Sequence, residues 1–290
     1  MHLTDIDLLF ALITLVAALV NGGLGYGFSA ITVPLALLLF SNKLLSPALV
    51  LVEVFINFVA LLVNIRAVPA IWRRMLPMLG GLVPGAVLGT FALAQTGHAT
   101  LRIATYAVLL PLIVLQTAGV RWPLKREVVA GVPLGAGVGA LYAATTISGP
   151  PLALLLNNQG YTKENFRAAL SLFRIAESIL AAGLYGSAGL FTGESIRLSG
   201  IAAPGVLIGI PLGFLVLRKL PNETFRRACM GSDALLVSFG LARVLIDQHL
   251  VAAVLGYSLV AATVVLEGVL LWRYFKLARA QILAPAEASS

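Results

Sequence analysis

The chain has 290 residues, 59% apolar and only 11% charged, where soluble domains run nearer to about 45–50% apolar and about 25% charged; a water-soluble globule is excluded and an all-α integral membrane protein expected. Lys and Arg number 20 against 12 Asp and Glu, but these charges lie in short connections between apolar runs, so the excess reads as membrane topology and no nucleic-acid partner is expected. A single cysteine, Cys229, and three scattered histidines, His2, His98 and His249, exclude an intramolecular disulfide and argue against a metal cluster.

The first apolar run begins near Ile6. A secretory signal wants a positively charged start, and this segment carries Asp5 and Asp7, so it is expected to stay in the mature protein. Further runs fall at about 28–40, 45–64, 76–94, 101–118, 128–146, 148–157, 166–186, 199–217, 225–246 and 250–272. Seven are long enough to cross a core of about 30 Å alone. The other four form two broken pairs, 6–20 with 28–40 and 128–146 with 148–157, interrupted at "NGGLGYG" and "ATTISGPP". The run 28–40 reaches about 20 Å, too short to span, so each pair is read as a hairpin that returns to the side it entered from.

Basic residues test that count. Five clusters (Arg66, Arg73 and Arg74; Arg121, Lys125 and Arg126; Lys163 and Arg167; Arg218, Lys219, Arg226 and Arg227; Arg273, Lys276 and Arg279) hold fifteen of the twenty. If both hairpins return to their starting side, all five share one face, which charge bias makes cytoplasmic. The amino terminus is then outside and the carboxyl terminus inside. Trp72, Trp122 and Trp272 stand beside basic clusters, as interfacial anchors do.

The chain also repeats itself. A shift of 117 lays "VPLALLL" (33–39) on "PPLALLL" (150–156), and a shift of 124 lays Gly81, Gly85 and Gly89 on Gly205, Gly209 and Gly213. Residues 1–120 form the first repeat, 121–248 the second, 249–279 an additional C-terminal transmembrane helix and 280–290 a polar tail. Each repeat is a broken-helix hairpin plus three transmembrane helices, so the second copy is inverted, an architecture of secondary transporters whose site lies near the midplane. The glycine ladders, with Gly131, Gly135 and Gly139, read as close-packed helix faces.

A half-helix starting inside lipid leaves backbone N–H groups without partners, and an anion suits them. The substrate-binding candidates are therefore Gly25, Tyr26, Gly27, Phe28 and Ser29 at the first break and Thr145, Thr146, Ser148 and Gly149 at the second. Arg174 lies mid-run and falls on Asn57 under the 117 shift; a charge at mid-bilayer must face protein, water or ligand, so both join the site. Glu53 and Glu177 are the coupling candidates, and an internal ion pair of Arg174 with either is the structural alternative. Asp233, also mid-run, has no assigned role. No Walker, HExxH or GxSxG motif is present, so neither an enzyme nor a cofactor is expected.

"GLGYGFSAITVPLALLLF" and "TTISGPPLALLLNNQGYTKENFRAALSLFR" together resemble the TauE/SafE family of sulfite and organosulfonate exporters, over essentially the whole chain. The resemblance implies a multi-pass carrier of the bacterial inner membrane for small sulfur-containing or carboxylate anions. Expected partners are a small anionic solute and membrane lipids; a homo-oligomer stays open. The alternatives are a carrier of a cation or neutral solute using the intramembrane carboxylates, and a non-transporting scaffold or sensor subunit.

Overall fold

A computed structural model describes residues 4–25, 27–119, 127–157, 161–217 and 222–283. The segments there are α1 (Asp5–Leu24), α2 (Phe28–Ala36), α3 (Asn42–Asn64), a 3-10 turn (Ile65–Ala67), α4 (Val68–Gln95), α5 (His98–Thr117), α6 (Glu127–Thr145), α7 (Gly149–Asn157), α8 (Lys163–Ser187), α9 (Gly193–Leu217), α10 (Asn222–Asp247) and α11 (Ala253–Leu283). Polarity runs inside out relative to a soluble protein. Val63, Phe91, Leu88, Val129 and Val254 are exposed, while Glu53, Arg174, Glu177 and Asp233 are buried.

Six segments among the described residues are long and apolar enough to cross a membrane, and one of them, Asn42–Gln95, contains both α3 and α4. The expected crossing at 225–246 corresponds to α10. It has the length, with 26 residues, but Arg227, Asp233, Arg243 and Asp247 make it less apolar than its neighbours.

Helix starts follow from local chemistry. Thr4 caps α1 in a reciprocal box, its backbone N–H donating to Asp7 at 2.9 Å while its hydroxyl accepts from the Asp7 N–H at 3.3 Å. Asp7 also pairs with Arg197 near the start of α9, tying two helix ends together. Thr162 caps α8 by accepting from the Asn165 N–H.

Close packing is made by glycine. α1 runs along α9 and α6 along α4, while α3 packs on α8 and α5 on α10. A Cβ at Gly81 or Gly85 would strike the backbone of Val132 or Ala136, and one at Gly213 the backbone of Leu19. The ladders are therefore the contact faces expected of them, where small residues let backbones approach.

The basic clusters with described side chains gather at one end of the bundle. Arg74, early in α4, lies over the ring of Tyr161 just before α8, at 4.4 Å. Arg227, early in α10, donates to the carbonyl of Thr117 at the end of α5 and lies over Tyr274, late in α11, at 4.3 Å. Trp72 and Trp272 are exposed beside Arg73 and Lys276. Trp122, Arg121, Lys125, Arg126, Arg218 and Lys219 lie outside the described residues. At the opposite end, Lys43 donates to the Ala94 carbonyl and Arg102 to the Phe40 carbonyl.

Candidate functional site

Both helices expected to break do so. α1 ends where Gly25 adopts φ 81°, and Gly27, at φ 107°, precedes α2 without a side-chain cap. Only glycine takes such angles at no steric cost. The second break uses Thr146 at φ 59°, an uncommon place for a β-branched residue. The arms are unequal: α1 and α6 have 20 and 19 residues, α2 and α7 only 9 each, so each hairpin has one arm of membrane-spanning length, about 30 Å, and one of about 13 Å.

The N–H donors at the two half-helix starts differ. In α2 the first backbone bond among the described residues is Ile31 N–H to the Gly27 carbonyl, and the N–H groups of Phe28, Ser29 and Ala30 have no backbone partner among those residues. In α7 the first is Leu152 N–H to the Ser148 carbonyl, and of the three residues ahead of it Pro150 and Pro151 have no N–H. Gly149 is the remaining donor.

Between these starts lies a buried polar cluster carried by the paired helices α3 and α8. Arg174 Nη2 donates to Glu53 Oε1 at 3.3 Å, and both side chains are almost fully buried. Glu53 Oε2 accepts from the Tyr142 hydroxyl at 2.7 Å, and Ser29 at the start of α2 is buried. The Ser148 hydroxyl at the start of α7 donates to Glu177 Oε1. Asn57 Nδ2 donates to the Arg174 carbonyl at 3.2 Å and to Ser178 Oγ at 3.4 Å. Two polar atoms in the cluster, Arg174 Nε and Glu177 Oε2, are buried with no hydrogen-bond partner among the described residues.

Of the two structural alternatives for Arg174, the ion pair with Glu53 is the one formed. Glu177, one turn along the same helix, has no cation at pairing distance among the described residues and leans on Ser148 instead. Asn57, Ser148 and Arg174 meet in this cluster with Glu53 and Glu177. Thr145 and Thr146 are corrected: their hydroxyls donate to the Leu141 and Thr145 carbonyls at 2.7 and 2.6 Å, so they shape the turn rather than offer free donors. A helix end leaves carbonyls without partners, and adjacent hydroxyls satisfy them. Gly25 is exposed at the tip of its turn, Gly27, Phe28 and Gly149 are buried, and Tyr26 lies outside the described residues.

Sequence reading missed Tyr142 and Ser178. Tyr142 stands one turn before the Thr145–Thr146 break, a polar group in an apolar run, and that position was the available signal. Asp233 on α10 is buried, with Oδ2 unpartnered among the described residues, and none of its hydrogen bonds reaches this cluster.

The tips of the hairpins have different surroundings. A cavity of about 560 Å³ reaches the first, lined by Asn21, Gly22 and Gly25 together with Asn64 at the end of α3 and Arg167 at the start of α8. Arg167 is exposed. Around the second tip, residues Thr145 to Gly149 are all buried, beneath a layer containing Leu93, Leu101, Tyr142 and Tyr185 with Phe191 against it. The rings of Tyr185 and Phe191 meet edge to face at 6.4 Å.

Helices of this length and apolarity, two of them broken over a buried arginine and its carboxylates, define a multi-span membrane protein. The family model described as "Sulfite exporter TauE/SafE" matches residues 10–241, and the chain belongs to that family of membrane transporters. No curated protein and no solved structure matches it.

Proposed function

We propose that this chain is a secondary carrier of small anions, such as sulfite, organosulfonates or related carboxylates, working by alternating access between two inverted repeats. The carrying observation is Arg174: a buried cation whose Nε has no partner among the described residues, in a cluster that includes Ser148 at the start of α7. A guanidinium N–H left unsatisfied in a dry interior is costly, and an anion there gains this donor together with the N–H groups opening α2 and α7.

The packing supports the inverted repeat. Exchanging α1 with α6, α2 with α7, α3 with α8, α4 with α9 and α5 with α10 leaves the main helix pairs unchanged: α1 on α9 becomes α6 on α4, and α2 on α10 becomes α7 on α5. Residues equivalent under a two-fold operation can touch only near its axis. Asn57 and Arg174, 117 positions apart, touch through the Asn57 Nδ2 bond to the Arg174 carbonyl. On this reading the conformer is open toward the basic end, where the cavity meets the first turn, and closed at the other by the layer over the second. Charge bias makes the basic end cytoplasmic and the amino terminus external.

The test is counterflow in proteoliposomes over sulfite, 2-hydroxyethanesulfonate, thiosulfate and small carboxylates, with Arg174→Leu alongside. Uptake of at least one anion by the native protein and none by the variant is expected. Counterflow confined to cations or neutral solutes would favour the carboxylates as the binding groups, and full activity of Arg174→Leu would remove the arginine from the site.

A further inference from the structure

We propose that Glu177 is a tethered anion occupying the solute's seat at the start of α7, and that the solute enters as Glu177 takes a proton, so that one proton crosses with each monovalent anion. This rests on the anion-carrier reading above. The argument begins with a charge count. Glu53 and Arg174 form an ion pair and cancel. Glu177 is then the remaining charge, and its bonded oxygen is held by Ser148, the residue that opens α7. The carboxylate thus stands where a helix start favours an anion, and its second oxygen has no partner among the described residues.

A solute anion drawn to Arg174 Nε and Gly149 N–H meets this carboxylate at the same place. Two negative charges a few ångströms apart in a water-poor interior repel strongly. The cluster keeps its net charge only if the incoming anion replaces the Glu177 charge, and a proton binding Glu177 accomplishes that. The site carries one net negative charge when empty and one when loaded with anion and proton. Anion and proton therefore move in the same direction, and the empty carrier returns with Glu177 ionised on Ser148.

The groups facing Glu177 are few. Arg174 shares its helix, Glu53 faces it from α3 and Tyr142 from α6, and α7 presents Ser148. The basic residues Arg73 and Arg74 of α4 lie toward the start of α8, where Arg74 meets Tyr161, about 20 Å along the helix from Glu177.

The experiment uses the full-length protein in liposomes with a trapped pH dye, and sulfite and 2-hydroxyethanesulfonate as probes. The sulfonate carries no proton of its own at neutral pH, so any acidification it drives is the carrier's. Native protein should move about one proton per sulfonate, and its apparent KM should rise about tenfold per pH unit on the alkaline side, as one-proton linkage requires. In Glu177→Gln a sulfonate gradient should drive no proton movement beyond that of empty liposomes, and the KM read from sulfonate exchange should differ from the native value and be flat against pH. Glu177→Asp, which titrates but is too short to rest on Ser148, should keep proton movement and lower the apparent KM several-fold. Where the glutamine variant does not fold, an unchanged KM in the aspartate variant overturns the proposal. Net sulfonate uptake by native protein without proton movement, sulfonate-driven proton movement in Glu177→Gln, or loss of counterflow in a folded Glu177→Gln each overturns it while leaving the carrier reading intact. No counterflow of either probe by native protein overturns it together with that reading.

Discussion

The first hairpin turns on glycine and ends at a cavity; the second turns on threonine and ends beneath aromatic rings. Gly25 and Gly27 adopt φ angles of 81° and 107°, whereas Thr146 holds φ 59° in a fully buried turn. Among the described residues α2 has three N–H groups ahead of its first backbone bond and α7, lacking two at Pro150 and Pro151, has one. The two hairpins thus differ in opposite senses. The first is rich in backbone donors, and its turn stands at the cavity. The second has few backbone donors, is sealed, and holds a side-chain carboxylate through Ser148.

The largest effect should come from the buried ion pair between α3 and α8. Arg174→Leu leaves Glu53 buried without its cation, and breaking a buried pair costs about 3–5 kcal/mol. Thermal unfolding in detergent should show that loss, and adding Glu53→Gln should recover most of it. If the single variant is as stable as the native protein, the pair does not link α3 to α8.

The long arms come next. Gly22 and Gly139 are equivalent under the 117 shift, yet a Cβ on Gly22 would run into the Ile210 carbonyl oxygen, whereas on Gly139 it meets the movable Cδ1 of Leu82 at 2.8 Å and the Leu82 carbonyl oxygen at 2.9 Å, a milder overlap. Overpacking costs about 1–3 kcal/mol, with Gly22→Ala expected near the top of that range and Gly139→Ala near the bottom. Gly80→Ala, which meets nothing within 4 Å, is the control and should be neutral or slightly stabilising; equal costs at Gly22 and Gly139 would erase the asymmetry of packing.

Ser148→Ala takes from Glu177 the hydrogen bond on Oε1 and should cost about 1–3 kcal/mol as a buried acceptor goes unsatisfied. Ser29→Ala should cost less, because Glu53 is held by Tyr142 and Arg174. Chemical denaturation of the two variants in parallel checks the order, and the reverse order would make the first hairpin the tighter clasp.

The smallest effect is expected at the second turn. Left-handed geometry costs a residue with a Cβ roughly 1–2 kcal/mol, so Thr146→Gly should raise stability by about 0.5–1 kcal/mol once the added freedom of the unfolded chain is counted. A fall in melting temperature would show instead that the threonine hydroxyl matters more than the backbone strain.

Much of this was legible before any coordinates. The breaks at "NGGLGYG" and "ATTISGPP" were visible as turn chemistry inside apolar runs, and the glycine ladders as small residues at four-residue spacing. Arg174 stood out because a charge in a twenty-residue apolar stretch has few places to go. Tyr142 was harder to see, since a tyrosine in such a run is unremarkable until Glu53, 89 positions away, is found accepting its hydrogen bond. The expected donor roles of Thr145 and Thr146 failed for a local reason: the end of α6 leaves carbonyls that the nearest hydroxyls satisfy first.

Residue types and their order determined that the chain lives in lipid, where its helices break, and which family it joins, because hydropathy, glycine and proline act over short stretches of chain. Tertiary structure decided the partnerships: that Arg174 pairs with Glu53 rather than Glu177, that Ser148 holds Glu177, and that one hairpin tip meets a cavity while its counterpart is sealed. Those outcomes depend on which helix faces which across the bundle, and buried charges bind whatever packing brings within about 4 Å. No local pattern along the chain specifies that distance.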